Sequence, residues 1–353
     1  MRAKAVIGAS FGDEGKGLTV DYLCARGDAG VVVRFSGGAN AGHTVVTPEG
    51  ERHVFHQVGS GAFSGVPTFL SHYVTVDPIA LFLELRQLHA LGVHPEIFAS
   101  PECTVTTFAD ILIGHCLEET RGKGRHGSTG MGINETFERS RVPEIRITLA
   151  DLYNGGAGLE AKLGEICGKY ARFRTGQAID EPEMCEAFLR ACDALPRAVF
   201  PAGIGQCKDP IFEGSQGLLL DQDNKEFFPH VTRSHTGMKN VRALCSQAGI
   251  SEVEAYYVTR TYLTRHGAGP LPGEDPALGY EDDTNTENPH QGRMRFAPLD
   301  VDALCKRVVL DGGDADVRLV FTHRDQLDLP NLGALPTLSA WGPDRHSVQR
   351  ELT

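Results

Sequence analysis

No apolar run in this sequence approaches the ~20 residues that a membrane span needs. The first residues also lack the apolar core of a secretory signal, because Asp13, Glu14 and Lys16 interrupt it early. Basic charge is scarce: 34 Lys and Arg stand against 46 Asp and Glu, a net charge of −12. That balance disfavours nonspecific binding to nucleic acid or to an anionic membrane, so any anion site has to be local. The nine cysteines are odd in number, scattered, and contain no C-x-x-C pair. They suggest neither a disulfide framework nor a zinc constellation, and read as reduced, mostly buried thiols in a cytoplasmic compartment. Internal repeats and low-complexity linkers are missing too. The sequon Asn134-Glu135-Thr136 means nothing without secretion.

What is present is enough apolar material for a large core: 353 residues, 41% of them hydrophobic. Strand-like runs recur at Ala3–Gly8, Gly30–Phe35, Tyr73–Val76, Ile211–Gly214, Glu254–Leu263 and Val317–Thr322. Helical patterns lie between them, at Leu18–Cys24, Asp77–Leu91, Thr106–Arg121, Leu159–Arg172, Pro182–Leu195 and Leu299–Asp311. Such alternation predicts an α/β fold with a large, mainly parallel central sheet flanked by helices, as one domain over 1–353. The stretch 270–291 is poor in apolar residues and rich in Gly, Pro, Asp, Glu and Asn. It reads as a long functional loop, or more blandly as a surface insertion.

The most informative segment follows the first strand: Gly12-Asp13-Glu14-Gly15-Lys16-Gly17. Strand, glycine-rich loop and helix make a phosphate site, where backbone amides and a lysine face the anion. It is not a Walker A loop, which would place glycine at position 10 and Ser or Thr at 17. Two carboxylates inside a phosphate loop are unfavourable unless a divalent cation intervenes or one is a catalytic base; the plain alternative is a solvated acidic turn. A second glycine-rich element, Gly37-Gly38-Ala39-Asn40-Ala41-Gly42-His43-Thr44, leaves the strand before it at the same end. Its small residues let backbone approach a ligand, although a lone histidine is often only structural. Further elements are weaker alone. Gly127-Ser128-Thr129-Gly130 offers hydroxyl donors, and Glu213-Gly214-Ser215-Gln216-Gly217 places a Gln suited to the amide edge of a 6-oxopurine. Gly292-Arg293-Met294-Arg295 offers a dicarboxylate clamp, or merely balances nearby acids. Asp325 follows a strand, where it can read the edge of a base.

Taken in order, these elements resemble the adenylosuccinate synthetase family. The resemblance rests on Gly12 to Gly17, Gly38 to Thr44, Glu213 to Gly217 and Thr264-Arg265-His266-Gly267-Ala268-Gly269-Pro270, and spans nearly the whole chain. It implies a P-loop-like nucleotide-binding fold of that type and a ligase that replaces a purine 6-oxygen with the amine of L-aspartate. By carry-over, Asp13, His43 and Gln216 are catalytic. Gly12, Glu14, Gly15, Lys16, Gly17, Gly42, His43, Thr44, Asp325 and Gly342 bind the triphosphate. Asp13, Asn40, Ser128, Thr129, Gln216, Thr232 and Arg141 bind the monophosphate, Arg141 reaching across from the partner subunit of a homodimer, with Arg139 as the other choice. Gln291, Arg293 and Arg295 bind aspartate, and Asp13 with the Gly42 carbonyl holds Mg²⁺.

The departures from the family pattern are informative. The chain is shorter, mostly between Asp325 and Gly342. Leu18 stands where the family has Lys, His290-Gln291-Gly292-Arg293 replaces Thr-Thr-Gly-Arg, Thr322-His323-Arg324-Asp325 replaces Thr-Lys-x-Asp, and Ala340-Trp341 replaces a small hydroxyl residue. A compact, altered version is similar to the bacteriophage branch, which makes N6-succino-2-amino-2′-deoxyadenylate from dGMP and aspartate with ATP or dATP as donor, in a host cytoplasm. An ordinary family member using IMP and GTP is the alternative. A nucleotide-binding switch is a third reading, disfavoured because a switch has no use for an aspartate clamp.

Overall fold

The apolar run after Arg2 forms the strand Arg2–Gly8, the middle strand of a nine-stranded sheet. The computed structural model describes residues 2–27, 29–124, 126, 128–154, 157–173, 181–195, 204, 207–282, 292–328 and 337–350. Across the sheet the strands run Val348–Arg350, Thr337–Ala340, Asp316–Thr322, Glu252–Arg260, Arg2–Gly8, Pro210–Gly217, Val31–Arg34, Thr68–Leu70 and Ile97–Ala99. All neighbours are parallel except the edge strand Val348–Arg350. Ala5 lies opposite Ala255 on one side and Phe212 on the other.

The alternation of side chains builds a core on each face. Ala5, Ile7, Val33, Phe212 and Tyr257 pack with Val241 and Leu244 of helix Met238–Ala248 and Leu304 and Val308 of helix Val301–Gly312. Val6, Val32, Ile211 and Val258 pack with Leu18, Val20 and Leu23 of helix Lys16–Ala25. A third core gathers the helices Pro78–Ala90, Phe108–Arg121, Ala157–Tyr170 and Glu181–Ala194, with Leu85, Phe108, Leu163 and Phe188 inside.

Helix ends follow their local chemistry. Asp77 caps Pro78–Ala90 by accepting from the Ile79 and Ala80 amides, and Thr107 with Asp110 forms a capping box at Phe108–Arg121. Two expected strands differ. The run Glu254–Leu263 is broken at Thr261: Glu252–Arg260 stays in the sheet, while Tyr262–Arg265 pairs antiparallel with Arg295–Pro298. Of Tyr73–Val76, only Thr75 and Val76 are extended, and they pair with Thr104 and Val105 outside the main sheet. Parallel strands bring all their carboxyl ends to one edge, so the loops after Gly8, Arg34, Gly217, Arg260 and Thr322 converge there.

Candidate active site

The loop between Gly8 and Lys16 is held from inside by its own carboxylate. Glu14, 2% exposed, accepts from the Ser10 amide at 2.7 Å and the Gly12 amide at 3.2 Å. Its burial pushes the carboxyl up to about 7, against the pull of Lys16, Arg307 and those amides. Glu14 therefore shapes the phosphate loop rather than offering a free charge to a ligand. Arg307 buttresses the loop by donating to the Ala9 carbonyl at 2.7 Å, and Thr322 donates to the Glu14 carbonyl at 2.9 Å. Gly15 has φ +90, and a Cβ there would lie 2.7 Å from Thr322 Cγ2, so both backbone and space require glycine. Lys16 opens the helix, buried, with burial pushing its ammonium down against the charges of Glu14, Asp13 and Glu213.

Among the described residues, three of the four non-glycine residues with positive φ lie in this region: Asp13 at 56°, Gln216 at 62° and His323 at 59°. Backbone of that kind persists where the surroundings hold it, and it collects at functional sites.

His43 begins the hairpin that pairs His43–Val46 with Arg52–Phe55. Its Nδ1 lies 2.6 Å from Glu213 Oε1, and both side chains are buried. The carboxylate also accepts from Ser60 Oγ at 2.5 Å and the Ser60 amide at 3.0 Å, with Arg34 at 3.6 Å. Burial alone would raise Glu213, but the Arg34 charge and the hydrogen bonds from His43 and Ser60 hold the carboxyl below the usual carboxylate range. Burial pushes His43 down to about 4, against the pull of Glu213. A neutral ring beside that carboxylate carries its proton on Nδ1, which leaves Nε2 for a ligand.

Two clefts open at this edge of the sheet. One, of about 320 Å³, is lined by Asp13, Glu14, Gly15, Lys16, Gly17, Gly42, His43, Thr44, Asp325 and Gly342, among others. Asp13 apart, which is expected at the monophosphate and the metal, these are residues expected at a triphosphate; Gly12, the remaining member of that set, is buried and does not line the cleft. Thr44 Oγ1 is buried with no hydrogen-bond partner among the described residues, as a group awaiting a ligand oxygen would be. The second cleft, of about 200 Å³, is lined by Asn40, Ser128, Thr129, Gln216 and Thr232, together with His126, Arg265 and His266. The two share a seam. Gly12 packs on Gln216, and the loop carrying Asn40 into one cleft carries Gly42 and His43 into the other.

Other expected residues lie elsewhere. Arg139 is enclosed: it donates to both carboxylate oxygens of Asp110 at 2.8 and 2.9 Å and to the Val105 and Ile145 carbonyls, so it is a strut. Arg141 lines neither cleft of its own chain; its side chain is 69% exposed, 3.1 Å from Glu138. Arg295 lines neither cleft and is engaged with Glu274 at 2.8 Å and the Gly267 and Gly269 carbonyls, each at 2.8 Å. Arg293 is exposed, and Gln291 lies outside the described residues. Trp341 is 40% exposed, with the Arg324 guanidinium 5.5 Å from its ring centre.

Sequence reasoning passed over Glu213, Arg34, Ser60 and Arg260. Only Glu213 carried a signal, as an acid inside a buried strand next to the Gln216 loop.

The donor set suits Mg²⁺: the Asp13 carboxylate and the Gly42 carbonyl offer hard oxygens from residues lining the cleft of the phosphate loop. Glu14 does not compete, since both of its oxygens are taken. Among the described residues, no helix is long and apolar enough to cross a membrane.

The geometry agrees with the comparisons to known proteins. Adenylosuccinate synthetase from Alkalilimnicola ehrlichii is 36% identical over 287 residues, covering 76% of this chain and 64% of the relative. The same enzyme from Acinetobacter baylyi is 35% identical over 298 residues, covering 80% and 65%. The chain thus spans just under two thirds of the length of these relatives. Fully ligated adenylosuccinate synthetase from Plasmodium falciparum has a similar fold, with a TM-score of 0.74 at 20% identity over 99% of this chain and 87% of that one. Succinoaminodeoxyadenylate synthetase of cyanophage S-2L, bound to dGMP and dATP as an energy donor, gives 0.67 at 18% identity over 100% and 96%. A family model described as adenylosuccinate synthetase matches residues 5–295, and the chain belongs to that family.

Proposed function

We propose that this chain joins L-aspartate to C6 of a purine nucleoside monophosphate at the expense of a nucleoside triphosphate. The observation that carries the reading is the seam between two clefts, with Asp13 and His43 on one side and Asn40 and Gln216 on the other. A purine 6-oxygen is a poor leaving group, so it has to be phosphorylated before an amine can displace it, and the seam is where O6 and a γ-phosphoryl group would meet. Asp13 takes the N1 proton as general base, and Gln216 orients the amide edge. His43, its Nδ1–H held by Glu213, takes a proton from solvent on Nε2 when the anionic triphosphate is beside it, directs that N–H to the transferred phosphoryl group, and gives the proton up as general acid when the amine displaces phosphate.

Gly12, Gly15, Lys16, Gly17 and Thr44 hold the triphosphate, with Glu14 shaping their loop, while Asp325 and Gly342 meet its base. Asn40, Ser128, Thr129 and Thr232 hold the monophosphate, joined by the partner subunit's Arg141 in a homodimer. Arg293 takes an aspartate carboxylate, and Arg295 supports the same loop or joins it on exchanging its present contacts. Gln291 completes that set. Asp13 and the Gly42 carbonyl would hold Mg²⁺, which when bound neutralises charge on the phosphates.

Within this reading the monophosphate is dGMP and the donor ATP or dATP. Support comes from the compact chain and from Thr322-His323-Arg324-Asp325 and Ala340-Trp341 at the base end. The names of the curated relatives and the acidic Asp325 favour a second reading, IMP with GTP. Phosphate release from dGMP, GMP and IMP, each with ATP, dATP and GTP, aspartate and Mg²⁺, decides between them. A 2-amino donor paired in the site gives dGMP roughly a 10- to 100-fold advantage over IMP. IMP with GTP turning over at least as fast as dGMP with ATP or dATP would establish the second reading.

A further inference from the structure

The strand Glu252–Arg260 ends in a side chain that the element Thr259 to Pro272 contains but to which the sequence assigns no role. Arg260 is 2% exposed, beside the carboxyl end of the middle strand. Its Nε donates to the Asp13 carbonyl at 2.6 Å, Nη2 donates to Asp282 Oδ2 at 2.6 Å, and Nη1 donates to the Tyr262 hydroxyl at 3.3 Å. The guanidinium is a rigid planar fork, so fixing one of its nitrogens fixes the others. It therefore joins the phosphate loop to the segment 270–282.

Each end of this bridge has something to hold. Asp13 sits at φ 56°, where a non-glycine residue stays only under constraint, and a donor on its carbonyl supplies one. At the other end, Tyr280 stacks on Tyr262 with ring centres 3.7 Å apart and planes 5° apart. The Tyr262 hydroxyl donates to Gln326 Oε1 at 2.8 Å, and Gln326 Nε2 donates to the Glu281 carbonyl at 2.8 Å. Glu281 and Asp282 line the same cleft as the phosphate loop. Their charge would repel a triphosphate, and pairing with Arg260 offsets that of Asp282.

We propose that Asp282 and Arg260 are positioning residues for Asp13. Asp282 orients the guanidinium, the guanidinium holds the Asp13 carbonyl, and docking of the segment 270–282 is thereby required for Asp13 to present its carboxylate. The proposal rests on the ligase reading, in which Asp13 is the base.

Steady-state kinetics of the full chain, with the best substrate set from the panel above, test it. Arg260→Lys keeps the charge but cannot present Nε and Nη2 together. Arg260→Lys and Asp282→Asn are each expected to lower kcat about tenfold or more. The KM for the monophosphate should stay within about threefold, the pattern of an interaction serving the transition state. Asp282→Glu should recover part of the loss, and a melting temperature of Asp282→Asn equal to wild type separates positioning from folding. The double variant should be no worse than Arg260→Lys alone, because Asp282 acts through Arg260. An unchanged kcat in Asp282→Asn overturns the proposal. So does a full Asp282→Asn effect in the Arg260→Lys background, which would mean that Asp282 acts on the nucleotide or metal directly. Wild-type protein with no turnover in any nucleotide combination overturns the ligase reading and this proposal with it, whereas turnover indifferent to Asp282 overturns this proposal alone.

Discussion

Asp13 combines a carboxylate with a left-handed backbone, and the two can be separated by substitution. Asparagine tolerates positive φ better than most residues, so Asp13→Asn removes the base while keeping the backbone. Its kcat is expected to fall by about 10²–10⁴-fold with the melting temperature unchanged; phosphate-release rates at wild-type level would remove Asp13 from the mechanism. His43→Ala should lose activity similarly, whereas His89→Ala, at the end of helix Pro78–Ala90 and away from both clefts, should not.

The histidines also give the fold a pH dependence. Burial takes His43 from an ordinary 6.5 down to about 4, and His323 down to about 3. As pH falls below 6.5 the unfolded chain takes up protons that the folded chain refuses. The two histidines therefore contribute a term that lowers stability as pH falls between about 6.5 and 4, up to about 1.4 kcal/mol per pH unit from His43 alone, while Glu14, raised to about 7, and Asp21, raised to about 6, contribute the opposite sign as pH falls through those values. Urea unfolding of wild type and His323→Asn at pH 7 and pH 5 isolates the histidine term: the variant, whose Asn tolerates the φ of 59°, should be less destabilised by the drop in pH than wild type.

The ends of strands were legible where glycine marks them. The loops after Gly8 and Arg34 were readable because small residues, a lysine and a histidine cluster within a few positions. The Glu213–His43 pair was not, because the two residues are 170 positions apart and meet only through strand order. Three-residue strands such as Thr68–Leu70 and Ile97–Ala99 are too short to show alternation, and helix Met238–Ala248 has no capping side chain to announce it. The two arginines near the end of the long loop looked equivalent in sequence, but the elements around them make them different. Arg295 belongs to the strand Arg295–Pro298 and ties Gly267 and Gly269 to it, whereas Arg293 is exposed. Arg293→Ala should raise the KM for aspartate far more than that for the monophosphate, and Lys should rescue it poorly because it lacks the planar fork. Arg295→Ala should also lower the melting temperature, since it leaves two carbonyls without their donor. Equal melting temperatures for the two variants would remove that distinction.

At the scale of the whole molecule, the cleft proposed for the monophosphate is lined by hydroxyl, amide and histidine groups and by Arg121, Arg233 and Arg265, whereas Arg141 stands outside it with a side chain 69% exposed. Arg139 cannot substitute, being locked to Asp110, Val105 and Ile145. In the homodimer proposed above, Arg141 would serve the cleft of the neighbouring copy, so each site would be a composite of two chains and each chain would both give and receive one arginine. Mixing two inactive variants tests this directly. Asp13→Asn spoils the site on its own chain, and Arg141→Ala spoils the site on the partner. In a heterodimer of the two, both defects fall on one site and the other is intact. After subunit exchange of a 1:1 mixture, half of the dimers are mixed and each has one intact site of two, so activity should rise to about a quarter of wild type. If Arg141 serves its own chain, every site in the mixture carries one defect and no activity returns. A mixture that stays as inactive as its components, while size measurements show that subunits have exchanged, would confine Arg141 to its own subunit.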